Sequence, residues 1–239
     1  MNHQVQKPTH AWLTIVILTV CLCHAVSSQA DVWLDEFNGD ALKPAWTQVG
    51  PRFTWETQDG FLHVEQVVPA VDPPLERLEL TAFPGPHQHL TITATNLKGE
   101  TSSFGIALGK RFPPHPEAPL GSPPSPHYYV FFTHRIYDRI IHGKGSGGGP
   151  FTRWVPRHPG TIWDTKVLKE MKLIFDAGRF QMVANGELRA DFVDDHFDQI
   201  ELISVVMWGN GENFVGAEGW MDSFTISGPS LDVEPKGKL

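Results

Sequence analysis

The sequence predicts an all-β protein, a two-sheet antiparallel β-sandwich, and three observations indicate this fold class. Short segments in which apolar and polar residues alternate follow one another from Asp31 onward. Turn-forming pairs such as Asp59-Gly60 and Asn185-Gly186 separate them. No segment shows sustained helical periodicity, and 22 glycines and 20 prolines fit many turns better than a helical bundle.

The chain begins with a segment typical of a cleavable signal peptide, for which we predict the bounds 1–30. Lys7 and His10 precede an apolar run over residues 11–23, and Ser28-Gln29-Ala30 resembles a cleavage site. The run is too short to span a bilayer comfortably. We therefore expect a secreted or periplasmic protein without membrane insertion after cleavage, and an uncleaved N-terminal anchor is the alternative.

Cysteine content and net charge exclude several classes of site and partner. Cys21 and Cys23 both lie in the predicted leader, so the mature chain has no disulfide, cysteine–zinc site or cysteine nucleophile. The formal net charge is −8, and it becomes about −9 when Lys7 leaves with the leader. Such a surface repels phosphate backbones and anionic lipids, so we expect no nucleic acid partner.

Residues 31–228 carry the predicted strands in one domain, and residues 229–239 form a loose polar tail. The first hairpin joins residues 53–57 to 61–67 through Asp59-Gly60, a pair that suits a type I′ turn. The same alternation predicts the remaining strands over residues 77–83, 89–95, 104–108, 128–133, 171–176, 179–184, 187–192, 200–207 and 220–226.

Two stretches interrupt this rhythm and are predicted to be long loops on one sandwich. Residues 112–126 contain many prolines, which cannot donate to a sheet ladder. Residues 143–150 are mostly glycine and predict a flexible loop. The interior of the sandwich is predicted to include Trp33, Trp46, Trp55 and Trp220.

Three stretches carry a resemblance to a known superfamily. The first consists of residues 34–42 with Trp46, followed by residues 53–55 and 59–64, and the other two are residues 172–187 and 218–226. Together they resemble the concanavalin A-like lectin/glucanase superfamily, which includes laminin-G-like exported domains. The resemblance implies a jelly-roll sandwich in which the first and last strands pair. It is specific for fold but weak for function, because the superfamily includes lectins, glycosidases, lyases and adhesion modules.

The same resemblance argues more against catalysis than for it. Retaining glucanases of the superfamily carry Glu-x-Asp-x-x-Glu on one strand, which places two glutamates on one face. This sequence contains no such spacing. Alginate lyases of similar fold use an Arg-x-Glu-Leu strand, which Arg77-Leu-Glu79-Leu matches, with a late tyrosine that this chain lacks. The alternative for Arg77 and Glu79 is an ordinary ion pair on one strand face.

A structural Ca²⁺ is also implied by the resemblance. Related sandwiches hold calcium between the opening loop, a backbone carbonyl at the Asn/Asp-Gly turn and a carboxylate on the last strand. The matching positions are Glu36 or its neighbours, Gly60 and Asp222, and calcium prefers such oxygen ligands. The alternative for Asp222 is a hydrogen bond to the first strand.

Glycan binding requires exposed aromatic platforms and planar polar groups. Trp154 and Trp208 are the preferred platforms, since one flanks the glycine loop and the other begins a polar turn that contains Asn210. Arg139 and Arg153 lie near these aromatics in sequence and suit contacts with hydroxyl or acid groups.

The sequence thus favours an exported, non-catalytic domain that binds a glycan or another surface polymer. The first alternative is a polysaccharide lyase or glycosidase on the same fold, which requires convergent acid and base groups such as Glu79, His134 and Tyr137. The second is an adhesion domain that binds protein, for which we expect an exposed apolar patch and no groove.

Overall fold

The computed structural model describes residues 31–68, 76–83, 85–100, 102–112, 121, 125–134, 137–144, 153–154, 168–209 and 216–228. These residues form two antiparallel sheets, one of nine strands (sheet I) and one of seven (sheet II). The strands are β1 (Asp31–Asp35), β2 (Trp46–Val49), β3 (Phe53–Gln58), β4 (Phe61–Gln66), β5 (Glu76–Leu80), β6 (His89–Glu100), β7 (Ser102–Phe112), β8 (Ser125–His134), β9 (Tyr137–Lys144), β10 (Arg153–Trp154), β11 (Leu168–Asp176), β12 (Arg179–Ala184), β13 (Glu187–Val193), β14 (Leu202–Gly209), β15 (Glu218–Met221) and β16 (Ser223–Gly228).

Sheet I is organised around the long strand β6. On one side, β6 pairs with β11, β11 pairs with β12, and β12 pairs with the edge strand β13. The other side of β6 pairs with β16 over one half and with β15 over the other. Strand β16 pairs in turn with β1, while β15 pairs with β4 and β4 pairs with β3. Sheet II has the order β10-β9-β8-β7-β14-β5-β2.

The predicted tight turns are confirmed by their backbone angles. Asp59 and Gly60 have φ values of 51° and 80°, and Asn185 and Gly186 have φ values of 50° and 80°. Positive φ at both central residues is what a type I′ hairpin requires. The two hairpins β3–β4 and β12–β13 therefore follow directly from local sequence.

Both predicted long loops have wrong boundaries. The proline-rich loop was expected to begin at Phe112 and end at Pro126, yet Phe112 closes β7, and Pro126 lies in β8 opposite Arg111. Pairing between β8 and β9 ends at His127, so the missing N–H of Pro126 interrupts no bond to β9. The glycine loop likewise starts later than predicted, because β9 extends to Lys144.

The core lies between the sheets and contains most of the predicted residues. Trp46 and Trp55 are buried, and Trp33 packs edge-to-face on Trp46 with a centroid distance of 5.8 Å. The prediction that Trp220 lies in the core is wrong, since Trp220 is on the face of sheet I that points away from the core and stacks on His63. Gly219 takes the core-facing position, where a Cβ atom would lie 2.8 Å from the ring of Phe104.

The opening motif is held by the buried carboxylate of Asp35. Its Oδ1 accepts a hydrogen bond from the Phe37 amide and contacts Lys43 Nζ, both at 3.0 Å, and its Oδ2 accepts one from Trp46 Nε1 at 2.8 Å. Strand β1 pairs with β16 from Asp31–Gly228 to Asp35–Phe224. The first and last strands of the domain are therefore neighbours, as the resemblance implied.

Residues 1–30 and 229–239, predicted as leader and tail, lie outside the described residues. Across the described ranges, no helix is long and apolar enough to cross a membrane.

Candidate functional site

Sheet II carries buried side chains on both of its faces. Phe104, Ile106 and Leu108 of β7 point into the core between the sheets. On the opposite face, which we call the outer face, a second cluster contains Ala107, Tyr128, Val130, Leu202 and Val206. A strand alternates its side chains between two faces, so residues of the outer face can form a site separate from the core.

Arg77 and Glu79 of β5 form an ion pair on this outer face. Arg77 Nε lies 2.8 Å from Glu79 Oε1, and their side chains are 15% and 20% exposed. The ion pair predicted as the alternative to a lyase motif is therefore confirmed. The guanidinium carbon of Arg77 also lies 5.4 Å from the centroid of the Tyr128 ring, within range of a cation–π interaction.

Tyr128 fills the space above Gly109, where a Cβ atom would lie 2.5 Å from the ring. Burial raises the pKa of Tyr128 to about 12; the charge of Arg77 has a smaller lowering effect, and the charge of Glu79 has a smaller raising effect. Among the described residues, the Tyr128 hydroxyl has no hydrogen-bond partner, and neither has the buried hydroxyl of Ser204. Ser204 is the Cα partner of Glu79 across β14 and β5.

A groove of about 320 Å³ opens beside this cluster, where the pairing of β5 with β14 ends at Glu79 and Ser204. Next to Pro86 and Glu201 in the chain, the peptide groups of His87 and Ile200 exchange two hydrogen bonds of 2.8 Å. We call the cavity the β5–β14 groove, and its lining consists of Glu79, Leu80, Thr81, Gly85, Pro86, Arg111, Glu201, Leu202 and Ile203.

The charged lining residues of the groove are held in place by their neighbours. Glu201 Oε2 accepts a hydrogen bond of 3.0 Å from the Arg111 amide, and its Oε1 accepts one of 3.1 Å from Gln199 Nε2. The Arg111 guanidinium lies 3.8 Å from the same Glu201 carboxylate. Two carboxylates and one guanidinium therefore border the groove, together with apolar residues and Thr81.

The backbone register places three of the predicted ligand-binding residues in rows of the outer face. Trp154 is the Cα partner of Ile141, and Ile141 is the Cα partner of Val130, a residue of the outer face. Trp208 is the Cα partner of Ser103. Arg139 is the Cα partner of Phe132 in β8. Only the backbone of these residues is described, so their ligand contacts stay predictions.

The two other predicted ligand-binding residues differ from these three. Arg153 is the Cα partner of His142, and His142 is the Cα partner of Tyr129, whose side chain faces the core. The register position of Arg153 is therefore on the core side of the sheet. Asn210 lies outside the described residues. His134 and Tyr137, named for the enzyme alternative, are Cα partners in the β8–β9 hairpin, and only their backbone is described.

The predicted calcium positions come together at one end of sheet I. Glu36 directly follows β1, whose last pair is Asp35–Phe224, and Asp222 directly precedes β16. The Met221–Leu62 pair brings the Gly60 turn next to Asp222. Asn38 links this group, since its Nδ2 donates to Glu36 Oε2 at 3.3 Å and its Oδ1 lies 3.2 Å from the Cβ position at Gly60.

Asp222 itself makes side-chain contacts with β6 rather than with the first strand. Its Oδ2 accepts hydrogen bonds of 3.3 Å from Thr95 Oγ1 and 3.2 Å from Asn96 Nδ2. No group of three or more acidic, histidine or cysteine side chains within the described ranges is arranged to hold a metal ion. The oxygen-only donor set of Glu36, Asn38, Asp222 and the Gly60 carbonyl nevertheless has the chemistry that calcium prefers.

Sequence reasoning missed the β5–β14 groove, although it had marked Glu79. The groove forms between strands that are far apart in the chain, and only the fold brings Glu79 and Glu201 together. A local signal existed in Arg77-x-Glu79, whose spacing places both side chains on one face.

Among the comparisons with known proteins, only the one with solved structures finds matches, and these concern the fold. No family model matches the chain, and no curated protein sequence matches it either. Solved structures do match: a GlcNAcα1-4Gal-releasing endo-β-galactosidase from Clostridium perfringens has a TM-score of 0.56 at 12% identity, covering 85% of this chain and 64% of that one.

Two further enzymes match over most of both chains. A β-porphyranase from Bacteroides plebeius has a TM-score of 0.53 at 13% identity and covers 84% of this chain and 93% of that one. The catalytic domain of an endo-1,3-β-glucanase (laminarinase) from Thermotoga petrophila RKU-1 has a TM-score of 0.50 at 12% identity, covering 87% and 99%. Sheet order, the pairing of the first and last strands and these similarities together show that this chain has the concanavalin A-like jelly-roll fold.

Proposed function

We propose that this protein binds a glycan in the β5–β14 groove and does not cleave it. The groove itself carries the proposal, since about 320 Å³ with a few fixed polar groups lies within the size range of small-ligand sites. Glu79, Arg111 and Glu201 supply charged hydrogen-bonding groups, and Leu202 with Pro86 supplies apolar surface. A sugar presents both hydroxyl groups and C–H faces, so this mixed lining fits its chemistry.

The preorganised charges of the groove suit the recognition of hydroxyl groups. Glu79 Oε1 accepts from Arg77, while its Oε2 faces no hydrogen-bond donor of the described chain. A carboxylate oxygen of this kind accepts a strong, charge-assisted hydrogen bond from a ligand hydroxyl. The three similar structures are of an endo-β-galactosidase, a β-porphyranase and a laminarinase, and these similarities support a glycan as the ligand class.

Hydrolysis on the same fold is the second candidate, because Glu79 and Glu201 line one groove. Glycosidases use a pair of carboxyl groups as acid and base or nucleophile. Here both oxygens of Glu201 already accept hydrogen bonds from Arg111 and Gln199, which opposes a role in proton transfer. The adhesion alternative expected no groove, so the geometry favours glycan binding over both.

The test is a binding screen of the purified protein against neutral and uronate-containing polysaccharides, followed by calorimetry on each hit. Glu79→Gln is expected to weaken binding about tenfold, since hydrogen bonds to charged groups contribute about 1.5–3 kcal/mol. Glu187→Gln is the matched control, because Glu187 forms a similar ion pair with Arg189 at 2.7 Å on the edge strand β13. The control is expected to bind like the wild type.

Two results would contradict the proposal. Absence of saturable binding to every polysaccharide would remove the groove as a glycan site. Release of new reducing ends from a bound polysaccharide, lost in Glu79→Gln, would replace binding with hydrolysis.

We also propose a structural Ca²⁺ held by Glu36, Asn38, Asp222 and the Gly60 carbonyl. Its support is the register that brings the first strand, the β3–β4 turn and the last strand together. Bound calcium would supply charge compensation and crosslink these three segments, with no part in ligand chemistry.

A further inference from the structure

We propose that the Tyr128 hydroxyl is a ligand-binding group that donates a hydrogen bond to an oxygen atom of the glycan at the inner end of the β5–β14 groove. This inference rests on the proposed function and adds a specific contact to it. The first observation is that Tyr128 is 1% exposed and its hydroxyl has no partner within the described part of the chain. Buried hydroxyl groups are normally hydrogen-bonded, so an exception needs an explanation.

The ring of Tyr128 packs next to a residue that lines the groove. Its ring lies against Gly109, and Gly109 is the Cα partner of Leu202, which lines the groove. The charges of Arg77, Glu79 and Arg111 all act on the phenol, and Glu79 and Arg111 are themselves lining residues. The side chains that border the groove and the Tyr128 side chain therefore belong to one neighbourhood of the outer face, and this places Tyr128 within the proposed site.

The chemistry of the phenol suits a donor. Because burial raises its pKa to about 12, Tyr128 stays protonated at neutral pH and keeps its hydrogen for an acceptor oxygen. Ser204, the register partner of Glu79, adds a second buried hydroxyl without a partner in the described ranges. Two such groups on one face, next to one groove, point to an oxygen-rich ligand.

Access to the Tyr128 hydroxyl requires a movement of the Arg77 side chain. Arg77 lies over the Tyr128 ring and is tied to Glu79 by one hydrogen bond of 2.8 Å. Rotation of a partly exposed side chain is fast compared with ligand binding. We expect Arg77 to turn from the ring toward the ligand when the glycan enters, so that Arg77 and Tyr128 bind adjacent oxygen atoms.

The neighbouring residue provides a matched control. Tyr129 points to the opposite face, where its hydroxyl donates to Asp194 Oδ2 at 2.7 Å. The experiment compares Tyr128→Phe with Tyr129→Phe by urea unfolding and by calorimetric titration with the polysaccharide hits of the screen, in both the neutral and the uronate-containing sets. Binding to a neutral polysaccharide shows that recognition does not require a carboxylate, and binding to acidic polysaccharides alone shows that it does.

Opposite results are expected for the two variants. Tyr128→Phe should leave the urea midpoint unchanged or higher and weaken binding at least fivefold. Tyr129→Phe should lower the urea midpoint and leave the affinity unchanged.

The inference is overturned if Tyr128→Phe lowers the urea midpoint, since its hydroxyl then has a partner in the free protein. It is also overturned if Tyr128→Phe binds like the wild type while Glu79→Gln binds weakly, which leaves the proposed function intact. If the wild-type protein binds none of the polysaccharides, both the glycan site and the role of Tyr128 in it are overturned.

Discussion

Glu76 is a buried carboxylate at the start of β5 and fixes the chain between β2 and β3. It is 2% exposed, and its Oε2 accepts hydrogen bonds from the amides of Arg52 and Phe53 at 2.8 and 3.1 Å. Gly50 is required beside it, since a Cβ atom there would lie 2.5 Å from the Glu76 side chain. Burial raises the pKa of Glu76 above 4.5, although both amides and the Arg52 charge act in the opposite direction.

Glu76→Gln is therefore expected to change the pH dependence of stability. A folded-state pKa above the unfolded value means that the contribution of Glu76 is fully present below pH 4.5 and is lost as pH rises through the folded pKa. The glutamine oxygen can still accept both amide hydrogen bonds and carries no charge to desolvate. Urea unfolding between pH 4 and 8 should show that the variant gains stability relative to wild type as pH rises, whereas parallel curves would contradict this reasoning.

At the residue scale, the sequence predicts contacts that depend on local spacing. The Arg77–Glu79 ion pair follows from alternation along one strand, and it forms. The role of Tyr128 has no such signal, because its contacts with Gly109 and Arg77 come from three separate strands. Aromatic composition equally gave no reason to place Trp220 outside the core, where a cross-strand stack with His63 holds it.

At the scale of elements, hairpins are predictable and breaks within strands are not. The turns Asp59-Gly60 and Asn185-Gly186 specify their own backbone conformation. The predicted strand over residues 220–226 is divided by Asp222 into β15 and β16, which contact different halves of β6. This division reflects the shape of the whole sheet, so a short window of sequence does not contain it.

The close contact at Gly219 predicts a large effect from one added methyl group in β15. A Cβ atom there would lie 2.8 Å from the Phe104 ring and 3.0 Å from Val64, so Gly219→Ala should destabilise the domain by about 1–3 kcal/mol through overpacking. Gly186→Ala is the control, with open space but a φ of 80°, and should cost about 1 kcal/mol. Thermal unfolding measures the loss of stability in both variants. A smaller loss for Gly219→Ala than for Gly186→Ala would show that the residues around β15 can move to make room for the added methyl group.

At the scale of the whole molecule, the fold class and the pairing of first and last strands follow from sequence and resemblance. The order within the sheets does not, because β6 joins β11, β15 and β16, and β5 joins β14, across long stretches of chain. The candidate groove is a product of that order, which explains why sequence reasoning found Glu79 but not the site around it.

Calcium, if bound as proposed, acts at this scale by linking the two ends of the domain to the β3–β4 turn. Millimolar Ca²⁺ should raise the melting temperature relative to excess chelator, because a ligand bound only by the folded state stabilises it. Asp222→Asn should reduce this shift, and Glu187→Gln on β13 should retain it. Equal melting temperatures with calcium and with chelator would exclude the site.

The pairing of β1 with β16 also determines how the domain responds to tension. Asp31 and Gly228 form the first rung of this antiparallel pair, so a force applied to these two positions acts across the ladder at one end. The rungs then break one after another, from Asp31–Gly228 towards Asp35–Phe224, rather than all together as they would under shear.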